Sequence, residues 1–154
     1  MGFSEKMRDS LGAEGAKLEV TAPTAKVAAG TAISISVAIV GGTKPAVVDA
    51  LTVRVVEADR HWVDGDGNTV SEADAQAMND RSGLKPAWSR SNRSERRVPV
   101  DVTVEPGARH EVAVELTVPE QCRATSAACN HTVHVQADIK GQIDPTAQAR
   151  FEIG

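Results

Sequence analysis

The stretch ISISVAI, residues 33–39, decides the fold, because every second position holds a large aliphatic side chain. Successive side chains of a β-strand point to opposite faces, so this alternation predicts a strand with one face in a core. The same period of two recurs in residues 98–104 and 112–118. Antiparallel sheets with one buried face show this pattern, and the chain is therefore predicted to be all-β.

Seven strands are predicted in total, with turn residues between them. Residue pairs that are typical of turns separate neighbouring strands, namely Gly41-Gly42, Pro106-Gly107 and Asp144-Pro145. Seven strands separated by such turns predict an immunoglobulin-like antiparallel β-sandwich. The predicted strands are 17–22, 31–40, 46–58, 93–104, 109–118, 130–140 and 147–153.

The overall composition limits the function classes. The chain has 154 residues, a size that suits one sandwich domain, expected over residues 15–154. Aromatic residues make up only 3%, tyrosine is absent and the formal net charge is -4, so nucleic-acid binding is disfavoured. No apolar run approaches the roughly 18 residues that a membrane span needs. We therefore expect no membrane span and a cytoplasmic location.

A short helix is predicted over residues 1–14. Phe3, Met7 and Leu11 are four residues apart and Gly12 follows them, which indicates one apolar stripe with a glycine stop. The stripe either packs over one end of the sandwich or binds a partner.

Residues 59–92 form a long predicted insertion between two strands. Residues 57–80 hold seven acidic residues and one arginine, whereas residues 81–97 hold six basic residues and one glutamate. If the two arms pair as the legs of a long hairpin, their charges satisfy each other. Within the insertion, Ser71 and Asp74 ahead of an alanine-rich run to Met78 predict a short capped helix.

The insertion also supplies candidate partner-binding residues. Trp and Arg dominate the energetics of protein interfaces, which favours Trp62, Trp88, Arg90 and Arg93 as anchors. The alternative is that both tryptophans pack the insertion onto the sandwich. A further alternative is anion or nucleic-acid contact through residues 81–97.

A calcium site is one hypothesis for residues 64–68. Asp64, Asp66 and Asn68 occupy the first three ligand positions of an EF-hand loop. Thr69 stands where the turn glycine belongs and Ala75 where the closing glutamate belongs, so a plain turn is favoured.

Cys122, Cys129, His131 and His134 are zinc-type ligands at non-standard spacing. Strand parity places His134 on the face opposite to Cys129 and His131, so convergence of all four is not expected. The cysteines either form a local disulfide or stay unpaired, and a reducing cytosol favours unpaired thiols. No hydrolase, P-loop or dinucleotide motif occurs, and we expect neither an enzyme nor a cofactor.

Three stretches together carry a family resemblance. They are GAKLEV at residues 15–20, the alternating strand that runs from Gly30 to Gly41-Gly42, and HTVHVQADIKGQIDPTAQARFEI at residues 131–153. In these stretches the chain resembles the bacterial SpoOM sporulation-control family, in its N-terminal arrestin-like half only. The resemblance implies an arrestin-like sandwich and a non-enzymatic, protein-binding role.

These observations leave competing functions. The first is an arrestin-like protein-interaction and regulatory module that binds through residues 59–92. The alternative is a structural homo-oligomer in which another copy replaces the second arrestin half. A third hypothesis is a calcium-binding β-sandwich at Asp64, Asp66 and Asn68.

Overall fold

The structure, a computed structural model, describes residues 15–154, and almost all of its regular structure is β-strand. Between residues 15 and 154 one short helix, α1 (Glu72–Ala77), interrupts the strands. The strands are β1 (Lys17–Thr21), β2 (Ala32–Val40), β3 (Ala46–Val63), β4 (Thr69–Val70), β5 (Lys85–Val104), β6 (Arg109–Thr117), β7 (Cys129–Ile139) and β8 (Thr146–Phe151).

The strands form two sheets whose neighbouring strands are all antiparallel. The smaller sheet has the order β1-β2-β6. In the larger sheet β3 pairs with β5 along one edge and with β7 along the other, and β8 pairs with β7. β4 pairs with the last two residues of β3, beyond the end of β7. The predicted all-β, antiparallel sandwich is thus confirmed.

Aliphatic side chains from both sheets fill the interior. The alternating residues Ile33, Ile35, Val37 and Ile39 are buried, as the period of two predicts. Burying each such side chain stabilises the fold by roughly 1.5–3 kcal/mol. Their partners from the larger sheet include Val48, Leu51, Val53, Val55, Val133, Val135 and Ala137.

The segment predicted as an insertion is largely a continuation of one hairpin. β3 does not end near residue 58, nor does β5 begin at residue 93, because their register continues to the pair Val63 and Lys85. The two arms therefore pair as the legs of a hairpin, the arrangement considered from their opposite charges. The boundaries were misplaced because the distal strands carry polar residues on both faces, so the apolar alternation fades.

The residues that follow β8 pair with the segment between β1 and β2. Val27 forms a parallel bridge with Ile153, and the Gly154 N–H donates to the Val27 carbonyl at 2.9 Å. The predicted helix at 1–14, with Phe3, Met7 and Leu11, lies outside the described residues. Within residues 15–154 there is no helix long and apolar enough to cross a bilayer.

Candidate functional site

Residues 59–92, here called the distal hairpin, project past the end of β7. The last register pair between β3 and β7 joins Asp59 to Cys129, whereas β3 and β5 remain paired as far as Val63. β4 takes the place of β7 beside the end of β3. The distal hairpin is therefore a three-stranded extension of the larger sheet.

The Glu72 carboxylate holds this extension together. Its oxygens accept hydrogen bonds from Arg60 at 2.7 and 3.1 Å, from Trp62 Nε1 at 2.7 Å and from Gln76 at 3.0 Å. The hydrogen bond from Arg60, followed by that from Gln76, lowers the pKa of Glu72 from 4.5 to about 2. The Arg60 guanidinium also lies 5.0 Å from the Trp62 ring centroid, a cation–π contact.

The predicted capped helix is confirmed as α1. Ser71 is its N-cap, and the Ser71 hydroxyl accepts from the Asp74 N–H at 3.1 Å. The helix ends at Ala77, one residue before Met78. Its first residue is Glu72, so the cap places that carboxylate over the end of β3, where it meets Arg60.

The four candidate anchors occupy different environments. Trp62 packs within the distal hairpin, whereas Trp88 is 42% exposed. Arg90 is exposed on β5. The Arg93 guanidinium instead donates to the Glu57 carboxylate at 2.9 and 3.1 Å. Trp88 and Arg90 are therefore exposed, whereas Trp62 and Arg93 bond to other described residues.

Residues 64–68, the calcium hypothesis, form a turn between β3 and β4. The Asp64 carboxylate accepts from the N–H groups of Asp66 and Asn68, each at 2.9 Å, and Gly67 has a positive φ of 84°. Asp64 therefore supports the local backbone, in the manner of turn aspartates. Residues 64–68 therefore adopt a turn, as their composition predicts.

A buried polar cluster lies at the base of the distal hairpin. Glu57 is 0% exposed and His131 1% exposed, and their Oε2 and Nε2 atoms are 2.9 Å apart. The Arg123 N–H donates to the same oxygen at 2.9 Å. Burial acts to raise the pKa of Glu57, but the hydrogen bonds from His131, Arg123 and Arg93 outweigh it and hold the pKa below its usual value.

The cluster continues from His131 to Thr125. The Thr125 hydroxyl lies 2.7 Å from His131 Nδ1, and both residues line a cavity of about 530 Å³. A hydroxyl, an imidazole and a carboxylate in series also occur in nucleophilic enzymes. Here the hydroxyl oxygen accepts the Ile153 N–H at 2.8 Å, and Arg93 neutralises the carboxylate. These contacts tie the loop before β7 to the residues that follow β8.

Cys129, His131 and Glu57 present ligand atoms within 4.8 Å of one another. Burial raises the pKa of the Cys129 thiol to about 12. His134 lies on the opposite face of β7, as parity predicts, and Cys122 is a second free, buried thiol. The four predicted zinc-type residues therefore do not converge.

Sequence reasoning missed Glu57 as a member of this cluster. The period of two could have identified it, because Glu57 follows Val53 and Val55 on the inward face of β3. The register also shifts by one residue between Val55 and Val56, which leaves Arg93 as an extra residue on β5. This β-bulge has no counterpart in the sequence pattern.

Comparison with known proteins gives both a family and related folds. A family model described as the SpoOM protein matches residues 4–154. No curated protein matches the sequence. The sporulation control protein Spo0M from Bacillus subtilis is similar in structure, with a TM-score of 0.68 and 17% identity over 90% of this chain and 49% of that chain. A DUF4466 family protein from Parabacteroides merdae has a TM-score of 0.52 and 9% identity, over 92% of this chain and 45% of that one.

The chain thus spans about half the length of these two solved structures. At such identities the structural likeness shows the fold alone, and it confirms the arrestin-like sandwich that the resemblance implied. The family model, in contrast, covers the sequence almost from end to end. The chain belongs to the SpoOM family.

Proposed function

We propose that this chain is a non-enzymatic regulatory module that binds a protein partner in the cytoplasm through its distal hairpin. Family membership supports regulation, since the Bacillus subtilis relative is described as a sporulation control protein. The observation that carries the binding role is the exposure of Trp88 on an extension held in one shape by the Glu72 network.

Exposure of Trp88 matters because its backbone is already ordered. The residue pairs with Arg60 across β3 and β5, and Arg60 is itself fixed by Glu72. A large aromatic side chain on a rigid strand loses little conformational freedom when a partner covers it, so such residues act as interface hot spots. Arg90, two residues along the same strand, adds a charged group beside it.

A partner-capture experiment tests this proposal. The full chain, a Trp88→Ser variant and a Val47→Ser control are used to recover partners from the native cells. Val47 is a suitable control because it is 41% exposed and lies near the opposite end of β3. We expect a protein that is retained by the full chain and the control and lost with Trp88→Ser. Equal recovery by all three would refute the role of the distal hairpin.

Light scattering at micromolar concentration measures the oligomeric state and distinguishes the interaction module from the homo-oligomer alternative. A monomer that retains a partner through Trp88 supports the interaction module. A stable dimer that dissociates in the Trp88→Ser variant would assign the same surface to self-association instead.

A further inference from the structure

The outward face of the larger sheet carries a basic groove away from the tip of the distal hairpin. Cross-strand partners point to the same side of a sheet, so the register defines this face row by row. Arg90 lies beside Ala58, and Arg54 lies between Glu95 and His134. Thr132, between these rows, has Val56 on one side and Arg150 on the other.

Small residues form the floor of this groove. Val56 and Ala58 occupy the centre on β3, while Arg90 on β5 and Arg150 on β8 stand at its two sides. The groove has a volume of about 310 Å³. Its remaining lining is polar and contains no carboxylate: Asn130, Thr132, His134 and Gln148.

The two bordering arginines differ from the others in the described part of the chain. Between residues 15 and 154, the guanidinium group of every other arginine donates to a carboxylate, a carbonyl or an amide side chain, whereas those of Arg90 and Arg150 donate to no described residue. Arg54, next to the groove, is neutralised by Glu95 at 2.5 Å. The bonds of the others are Arg60–Glu72, Arg81–Gln76, Arg93–Glu57, Arg96 to the Glu115 carbonyl, Arg97–Asp138, Arg109–Glu19 and Arg123–Asp59.

Two guanidinium groups that have no carboxylate partner among the described residues border this groove, an arrangement that favours binding of an anion. Arginine binds tetrahedral oxyanions through two parallel N–H donors, so two arginines match the charge and the oxygens of a phosphoryl dianion. A single carboxylate would need only one of them. Asn130, Thr132 and Gln148 supply neutral hydrogen-bonding groups around the same space.

We propose that the groove bordered by Arg90 and Arg150 is a binding site for a phosphoryl group, either free phosphate or a phosphate monoester. The strands fix its width, because β5 and β8 are three strand spacings apart, about 14 Å. The two long side chains approach a central anion from opposite sides above Val56 and Ala58.

This site does not depend on the proposed binding role of Trp88. Arg90 belongs to the distal hairpin, but Arg150 lies on β8, outside it. A substitution at Arg150 therefore tests the anion site alone, and Trp88→Ser tests the partner surface alone. Either proposal can fail while the other stands.

The test is a titration of the full chain with inorganic phosphate at constant ionic strength and pH, followed by amide NMR. We expect saturable shifts confined to Arg90, Arg150 and the polar lining residues. Because a hydrogen-bonded charge contributes roughly 1.5–3 kcal/mol, Arg150→Gln and Arg90→Gln should each weaken binding by about tenfold or more. Neither guanidinium group bonds to a described residue, so both variants should keep the native fold and its spectrum.

Arg97→Gln is the matched control, since it removes the same charge from an exposed arginine outside the groove. Its phosphate affinity should stay within about twofold of the original. Shifts that spread over the surface without saturation, or equal weakening by Arg97→Gln, would refute the site. A second arm uses O-phosphoserine: tighter binding than inorganic phosphate assigns the groove to a phosphate monoester, and weaker binding assigns it to the free ion.

Discussion

The Glu57 carboxylate and the His131 imidazole meet at 2.9 Å with neither side chain more than 1% exposed. Because they come from β3 and β7, 74 positions apart in sequence, their contact joins two central strands of the larger sheet. A buried carboxylate is tolerated only when other groups satisfy its charge and its oxygens. Here Arg93, His131 and the Arg123 N–H do so.

Substitution of Glu57 should destabilise the protein strongly. Glu57→Ala leaves the Arg93 charge, the His131 ring and the Arg123 N–H without their acceptor, and removal of one member of a buried pair costs about 3–5 kcal/mol. Chemical denaturation measures this change. Glu95→Ala is the control, because its bond to Arg54 is on the surface and its loss should change stability by no more than about 0.5 kcal/mol. Similar values for the two variants would contradict the buried network.

The Glu72 carboxylate of the distal hairpin should stay ionised at unusually low pH. The folded-state pKa of Glu72, about 2, lies below the value of 4.5 expected when unfolded. Its ionised form therefore stabilises the distal hairpin above pH 4.5, and this stabilisation is lost as the pH falls through about 2. The NMR signal of the Trp62 indole N–H, which donates to Glu72, reports the titration.

We expect that signal to remain constant through pH 4.5 and to move only near pH 2. The Trp88 indole serves as the internal control, since it bonds to no described residue. In a Glu72→Gln variant the Trp62 signal should already be displaced at neutral pH. A midpoint near 4.5 in the original protein would show that Arg60 and Trp62 do not hold the carboxylate.

Strong alternation made part of this fold predictable. β2 was predicted at 31–40 and spans Ala32–Val40, because its aliphatic residues face a dry core. The distal half of β5 was missed, since residues 85–92 face solvent or polar neighbours and hydrogen bonds alone define that strand. The alternation of apolar and polar residues indicates which strands are buried, but it does not indicate which strands pair through hydrogen bonds.

The candidate sites were less accessible to sequence reasoning for a related reason. The groove joins Arg90 to Arg150, 60 positions later, and their common face depends on the order of four strands. Parity could place His134 opposite His131 within one strand. It could not show that Glu57 faces His131, because that contact needs the register between two strands.

Both cysteines should be unreactive in the folded protein. Burial raises the pKa of the Cys122 and Cys129 thiols, to about 12 at Cys129, so little thiolate is present at pH 8. Ellman's reagent should therefore react slowly with the native chain and rapidly with two thiols in guanidinium, with glutathione as the reference. No reaction in guanidinium without a reductant would reveal a disulfide and contradict the free thiols.

Gly41 should be intolerant of any side chain, although its φ is ordinary. A Cβ atom at this position would lie 2.1 Å from the carbonyl oxygen of Glu105, a backbone atom that cannot rotate away. The Gly41 N–H also donates to the Ala108 carbonyl at 2.7 Å, so the loop after β2 is held against the turn between β5 and β6. Gly41→Ala must open this contact, and overpacking of this kind costs about 1–3 kcal/mol.

Thermal unfolding measures the loss of stability in Gly41→Ala. Gly65→Ala is the control, because its Cβ would meet no atom within 4 Å and should leave the midpoint nearly unchanged. Equal midpoints for the two variants would show that the two loops are not in contact.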